Sequence, residues 1–159
     1  MGLDMYLTKK RYFGLNYEHN VEKDKETKII INGEEIDYTN LVNIEYNIGY
    51  WRKANAIHDF FVRNVQDGED DCKKYFVGLE ILIQLRIKCK ELIELYNINK
   101  SSFEKKAKEI LPTTSGFFFG STEYDEFYIQ DLNDTIEIID NIFNDPNHTK
   151  YDYYYQSSW

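Results

Sequence analysis

The first third of the chain alternates apolar and polar residues with the period of a β-strand. Residues 2–8 place three apolar side chains on one side, which predicts a strand with one buried face. Residues 42–48 repeat this pattern and predict a second half-buried strand. Between them, residues 28–38 predict a hairpin, because Asn32 and Gly33 suit the two positive-φ positions of a tight turn.

The period changes to that of helices further along the chain. Residues 50–65 carry an apolar stripe at helical spacing, and residues 79–96 carry the clearest such stripe. A capping-box pattern predicts a shorter helix over residues 101–111. A last helical stripe runs from residue 128 to residue 143. The chain therefore contains three to four amphipathic helices.

Three short apolar or aromatic runs remain, and each predicts a further strand. Residues 75–77 predict a short buried strand, and residues 117–119, closed by Gly120, predict a central one. The tyrosine-rich residues 151–155 predict a last strand. The order of elements predicts an α+β fold, as a single domain over residues 1–159. Its sheet would be mixed or mainly antiparallel, with the helices packed on it.

Charge and composition exclude several classes of function. The chain has 28 acidic and 19 basic residues and a net charge of -9, which argues against binding to duplex nucleic acid or to an anionic membrane surface. No secretory signal and no run of 18 apolar residues is present, so we expect a cytoplasmic protein. The three histidines lack metal-ligand spacing. We therefore expect neither a metal nor a cofactor.

One cluster of residues combines the side chains that bind a nucleotide. Trp51, Asn55 and His58 would share one face if residues 50–65 were helical throughout. The indole can stack on a base, Arg52 or Lys53 can meet a phosphate, and the Asn55 amide can read a base edge. The structural alternative is that Trp51 and His58 belong to the core, and the sequence leaves both interpretations open.

A second segment, residues 111–126, contributes acids to the same hypothesis. Asp125 and Glu126 stand at the predicted start of the last helix, and we include them among the candidate ligand-binding residues. His58 with Asp125, Glu126 or Asp4 would form a general-base pair if the fold brought them together. No residue carries a catalytic signature, and such acids also complement a helix dipole without any ligand.

Two further features carry weaker signals. The acidic run at residues 67–71 lacks the order of an EF-hand and predicts a solvated loop. The tyrosines of residues 151–155 predict an edge strand whose free side permits a homo-oligomer. The alternative is an ordinary edge strand whose rings cover the sheet.

Several blocks of sequence also resemble a group of small bacteriophage and prophage proteins. These blocks are residues 1–7 (MGLDMYL), residues 49–58 (GYWRKANAIH) and residues 111–120 (LPTTSGFFFG), and the likeness continues to the end of the sequence. The resemblance covers most of the chain. It implies a phage-related setting inside the host bacterial cell and implies no particular chemistry.

Together these observations lead to one main hypothesis and two alternatives. The main hypothesis is a phage-related protein that binds a small ligand, such as a nucleotide signal, and so counters or modulates host functions. The first alternative is a hydrolase that uses His58 with a carboxylate. The second is a decoy whose acidic, tyrosine-rich surface occupies a host protein.

Overall fold

A computed structural model describes residues 2–12, 29–36 and 42–159. The described strands are β1 (Asp4–Tyr12), β2 (Ile29–Ile31), β3 (Glu34–Ile36), β4 (Asn43–Arg52), β5 (Tyr75–Val77) and β6 (Asp152–Ser158). The described helices are α1 (Asn55–Val65), α2 (Leu79–Ile98), α3 (Lys100–Ile110) and α4 (Glu126–Asn144), followed by a 3-10 turn at His148–Lys150. None of these helices is long and apolar enough to cross a membrane.

Four strands form the main sheet in the order β4-β1-β6-β5, and every neighbouring pair is antiparallel. Met5 of β1 lies opposite Trp51 of β4 on one side and opposite Ser157 of β6 on the other. Strands β2 and β3 form a separate hairpin, in which Asn32 and Gly33 both have positive φ. The α+β prediction and the predicted hairpin turn are therefore confirmed.

The helices cover one face of the sheet, and the hydrophobic core lies between that face and the helices. The predicted alternation in β1 is confirmed, because Leu3, Met5 and Leu7 are fully buried. Tyr155 of β6 is also fully buried and stacks on Phe61 of α1 with ring centroids 4.1 Å apart. The helix stripes predicted from the sequence supply much of the rest of the core: Ala54, Ile57, Leu82, Leu85, Cys89, Leu92, Leu132 and Ile139.

The C-terminal strand does not have the free edge that the sequence suggested. Strand β6 pairs with β1 along its whole length and with β5 at residues 153–155, so these tyrosines have no free strand edge. The edge strands are β4 and the three-residue β5. The reasoning that led from residues 151–155 to self-association is therefore wrong, and a homo-oligomer remains a prediction without that basis.

The apolar run at residues 117–119 forms no strand. It lies in a turn after Gly116, and Phe117 is 94% exposed. Only Phe119 of this run reaches the core, where its ring meets His58 edge-on at 5.0 Å. Hydrogen bonds from the side chain of Asn55, the first residue of α1, to the backbone of Phe119 and Ser121 hold this loop in place.

The strand predicted over residues 42–48 is confirmed as the first part of β4, but a bulge at Ile48 interrupts its alternation. Leu7 pairs with Gly49 and Thr8 pairs with Asn47, which leaves Ile48 as an extra residue. Beyond the bulge, Gly49 and Trp51 face the core. Before it, Tyr46 pairs with Lys9 and so lies on the same face, but Tyr46 and Val42 are exposed, contrary to the expected buried face.

The start of one helix and the buried face of another also differ from the prediction. The third helix begins at Lys100, and its cap is the side chain of Asn99, which accepts from the Ser102 amide. On α2, the buried stripe is narrower than its apolar residues indicate, because Ile83 and Ile87 are exposed.

Candidate functional site

The predicted cluster lies at the junction of a strand and a helix and does not lie within one helix. Strand β4 runs through Trp51 to Arg52, and α1 begins only at Asn55. Between them, Lys53 adopts a φ of 62°, which turns the chain sharply. Trp51, Asn55 and His58 therefore do not share a helix face.

Trp51 belongs to the core. Its ring is 3% exposed and packs beside Phe61, and its Nε1 donates a hydrogen bond of 2.9 Å to Thr135 Oγ1 of α4. A buried indole with a satisfied donor holds β4 against α4 and leaves no face on which a base could stack.

Asn55 fixes the loop that precedes α4. Its Nδ2 donates to the carbonyl oxygens of Phe119 at 3.0 Å and Ser121 at 2.7 Å. Its Oδ1 accepts from the amide of Thr114 at 3.1 Å. The amide nitrogen and the amide oxygen of Asn55 therefore both have partners within the protein. Asn55 shapes the loop and has no free amide group with which to read a base.

His58 pairs with a carboxylate, but with one that the sequence did not indicate. Its Nε2 lies 2.9 Å from Asp70 Oδ2, and its Nδ1 lies 2.7 Å from the Tyr155 hydroxyl. Ser157 Oγ donates to the other oxygen of Asp70. Burial, followed by the negative charge of Asp70, raises the Tyr155 pKa well above its ordinary value, so that hydroxyl stays protonated.

This pairing removes His58 from the proposed general-base roles with Asp4, Asp125 or Glu126. The imidazole is 1% exposed, and both ring nitrogens already have partners. The prediction of a solvated loop over residues 67–71 holds for the exposed residues 67–69 and is wrong at Asp70, whose carboxylate pairs with His58 and Ser157.

A cavity of about 380 Å³ lies between the β4–α1 turn and the first turns of α4. Of the predicted site residues, Arg52, Asn55 and Asp125 line it, whereas Trp51, His58 and Glu126 do not. Its complete lining is Arg52, Lys53, Asn55, Ala56, Gly120, Ser121, Glu123, Asp125, Phe127, Tyr128 and Asp131.

Backbone geometry sets the shape of this cavity. Gly120 has a φ of +86°, and a Cβ at this position would lie 3.1 Å from the Cβ of Lys53. The loop can therefore press against the turn only with glycine here. At the other wall, Asp125 caps α4 by accepting from the amides of Phe127 and Tyr128 at 3.0 and 3.2 Å.

The cavity brings free cations and a perturbed acid together. Arg52 and Lys53 are exposed, and neither forms an ion pair within the part of the chain that the structure describes. Burial raises the pKa of Asp131 to about 7, and repulsion from Asp134 and Asp125 adds to this effect. Phe127 stands beside them with its ring 80% exposed.

Sequence reasoning missed Phe127 and Asp131, although a weak signal for them exists. The two residues are four apart on α4, so they project from the same side of the helix. Asp131 is also an acid placed between the apolar positions Tyr128 and Leu132, which are both buried.

Comparison with known proteins does not assign this site to a family. No family model, no curated protein and no solved structure matches the chain. Within the described ranges, no group of three or more His, Cys, Asp or Glu side chains is placed to hold a metal ion.

Proposed function

We propose that this protein binds a small anionic ligand of the nucleotide class in the cavity between the β4–α1 turn and α4. The observation that carries the proposal is the meeting of two unpaired cations, Arg52 and Lys53, with the exposed ring of Phe127 and the partly buried acid Asp131. The volume of about 380 Å³ lies within the usual range for small-ligand sites.

Each part of a nucleotide has a partner of suitable chemistry in this cavity. The Arg52 guanidinium can hold a phosphate through two parallel hydrogen bonds, and the Lys53 ammonium adds a point charge. The Phe127 ring can stack on a base, because every base has a flat π-face. A protonated Asp131 both donates and accepts, which suits an amide-type base edge.

The charge balance of the cavity depends on the protonation of Asp131. Its lining contains two basic residues, Arg52 and Lys53, and three acids, Glu123, Asp125 and Asp131. With all five ionised the lining is net negative, but protonation of Asp131 makes it neutral. Because the Asp131 pKa is raised to about 7, we expect an anion to bind more tightly at pH 6 than at pH 8.

Titration calorimetry against linear, cyclic and ADP-ribose-type nucleotides tests this proposal. We expect one class to bind and the variant Arg52→Gln with Lys53→Asn to lose binding. Asparagine is chosen because it tolerates the positive φ of residue 53. The matched control is Lys105→Gln, an exposed lysine of α3. Absence of binding across the panel by the folded protein would refute the proposal.

Mass analysis separates binding from the hydrolase and decoy alternatives. A binding protein returns its ligand intact after denaturation, whereas a hydrolase returns products. The enclosed His58–Asp70 pair gives no reason to expect turnover at this cavity. In a phage-related setting, capture of the ligand withdraws a nucleotide signal from the host. A decoy instead binds one host protein, which a pull-down would recover in the absence of any nucleotide.

A further inference from the structure

A second concave feature runs along the edge of the sheet, between β4 and the middle of α4. A shallow groove of about 380 Å³ lies between β4 and α4. Strand β4 lines it with four consecutive residues, 47–50, and α4 lines it with Asp134, Glu137, Ile138 and Asn141. Because β4 is the outermost strand of its sheet, its backbone edge borders the groove, and the bulge at Ile48 lies within this segment.

This edge of β4 is available for pairing. The strand is the outermost of its sheet, and no described strand pairs with its outer side. The helix packs tightly against it, because a Cβ on Gly49 would lie 2.9 Å from Ile138 Cγ2. An edge strand beside a helix is the arrangement in which proteins accept an extended peptide as an added strand.

The groove continues into a smaller cavity that can receive one side chain. This cavity of about 210 Å³ shares Ile48, Ile138 and Asn141 with the groove, and Ile142 and Tyr153 extend its wall. At its far end, Lys9 and Asp145 form an ion pair of 3.1 Å, which neutralises both charges there. An apolar side chain therefore suits this part of the groove.

The rest of the groove is acidic. Asp134 and Glu137 line it, and neither has an ion pair within the described residues. Asp134 and Ile138 are one helical turn apart, about 6 Å along the axis. Alternate residues of an extended peptide are about 6.7 Å apart, so successive side chains on one face of a peptide match these two positions.

We propose that the groove between β4 and α4 binds an extended basic peptide of another protein as an added strand. One basic side chain faces Asp134 and Glu137, and an apolar side chain two positions along enters the cavity lined by Ile138 and Ile142. A second copy of this chain fits less well, because pairing β4 with β4 would bring the acids of both copies to one interface.

The probe is the acetylated and amidated heptapeptide Thr-Lys-Thr-Leu-Thr-Lys-Thr, which reads the same in both directions and so fits either strand polarity. In two-dimensional NMR we expect it to shift the amides of residues 47–50 and of residues 134–141. The same peptide with glutamates in place of lysines should cause no shifts. Equal shifts from the acidic peptide, or none from the basic one at millimolar concentration, would overturn the proposal.

Two variants and two modified peptides sharpen the test. Reversing both acids, Asp134→Lys with Glu137→Lys, should weaken binding by about tenfold or more, whereas Glu94→Lys on α2 should not change it. N-methylation of alternate residues removes donors from one side of the peptide, so one of the two possible sets should abolish binding. If both methylated peptides still bind, strand addition is excluded. If instead the protein self-associates and the amides of residues 47–50 become protected from hydrogen exchange, the occupant of the groove is a second copy of this chain and the proposal of a peptide partner is wrong.

Discussion

Replacement of Asp131 by asparagine tests the electrostatics of the cavity most directly. The unfolded chain releases this proton near pH 4, whereas burial and neighbouring acids hold the folded-state pKa at about 7. Between these two pH values the folded state keeps the proton and the unfolded chain has lost it. The free energy of unfolding therefore falls as the pH rises from 4 to 7. Asparagine keeps the shape of the side chain and cannot ionise.

The size of the effect follows from the difference in pKa. The folded-state value of about 7 lies roughly three units above the ordinary value of 3.8. Each unit corresponds to about 1.36 kcal/mol, which gives an upper limit of about 4 kcal/mol at pH 8. Solvent reaches the cavity and screens the charge, so we expect the variant to gain about 2 kcal/mol over the native protein at pH 8. At pH 4 the two proteins should differ little.

Urea unfolding followed by tryptophan fluorescence measures this difference at several pH values, since unfolding exposes the buried Trp51 while Trp159 is already half exposed. The difference between variant and native free energies of unfolding should grow from pH 4 to pH 7 and then level off. The matched control is Glu94→Gln, an exposed acid of α2, for which the difference should stay flat. An Asp131→Asn difference that is equally flat would show that the folded-state pKa is not raised and that the charge argument for the cavity is wrong.

Three further predictions concern the residues around the site. Trp51→Phe should cost about 1 kcal/mol of stability through loss of the hydrogen bond to Thr135 and should leave ligand affinity unchanged, as unfolding and calorimetry would show. Asn55→Ala should cost about 2–3 kcal/mol, because it removes three hydrogen bonds, and should make residues 113–121 sensitive to limited proteolysis. Burial raises the Cys89 pKa far above its usual range, so a thiol reagent should label the native protein at Cys72 alone; modification of native Cys89 would contradict this.

The parts of the fold that the sequence predicts well are those with a local cause. The alternation in β1 follows from one buried face, and the hairpin turn follows from the backbone freedom of Asn32 and Gly33. The stripe of α2 is equally local, since Leu82, Leu85 and Leu92 are all fully buried. These features need no knowledge of the rest of the chain.

The prediction failed where distant residues decide the conformation. Trp51 fits the stripe of a helix and the alternation of a strand equally well, and the choice depends on the positive φ of Lys53, which its residue type does not announce. Phe117–Phe119 has the composition of a strand, but hydrogen bonds from Asn55 hold this segment as a loop. The tertiary contact overrides the local propensity.

Only part of the candidate site could be predicted, because some of its residues are brought together by tertiary contacts. Arg52 and Asp125 could be found because a guanidinium beside an aromatic residue and an acid at a predicted helix start are visible in the sequence. Asp131 needed the packing of α4 against β4, because its raised pKa arises from burial. The partner of His58 also needed the fold, since only the tertiary structure shows which of the nearby acids lies within 3 Å.

The position of β6 in the middle of the sheet has a consequence for synthesis on the ribosome. Strand β1 is made before every other described element, yet its partner on one side, which pairs Asp4 with Ser158, follows every described helix. A nascent chain that ends before Asp152 therefore holds β1 with an open inner edge and β5 with no partner among the described strands. The helices can form early, but the sheet closes only after residue 158 has left the exit tunnel. Until then the exposed edges of β1 and β5 invite pairing with other chains, which makes this stage the one most in need of a chaperone.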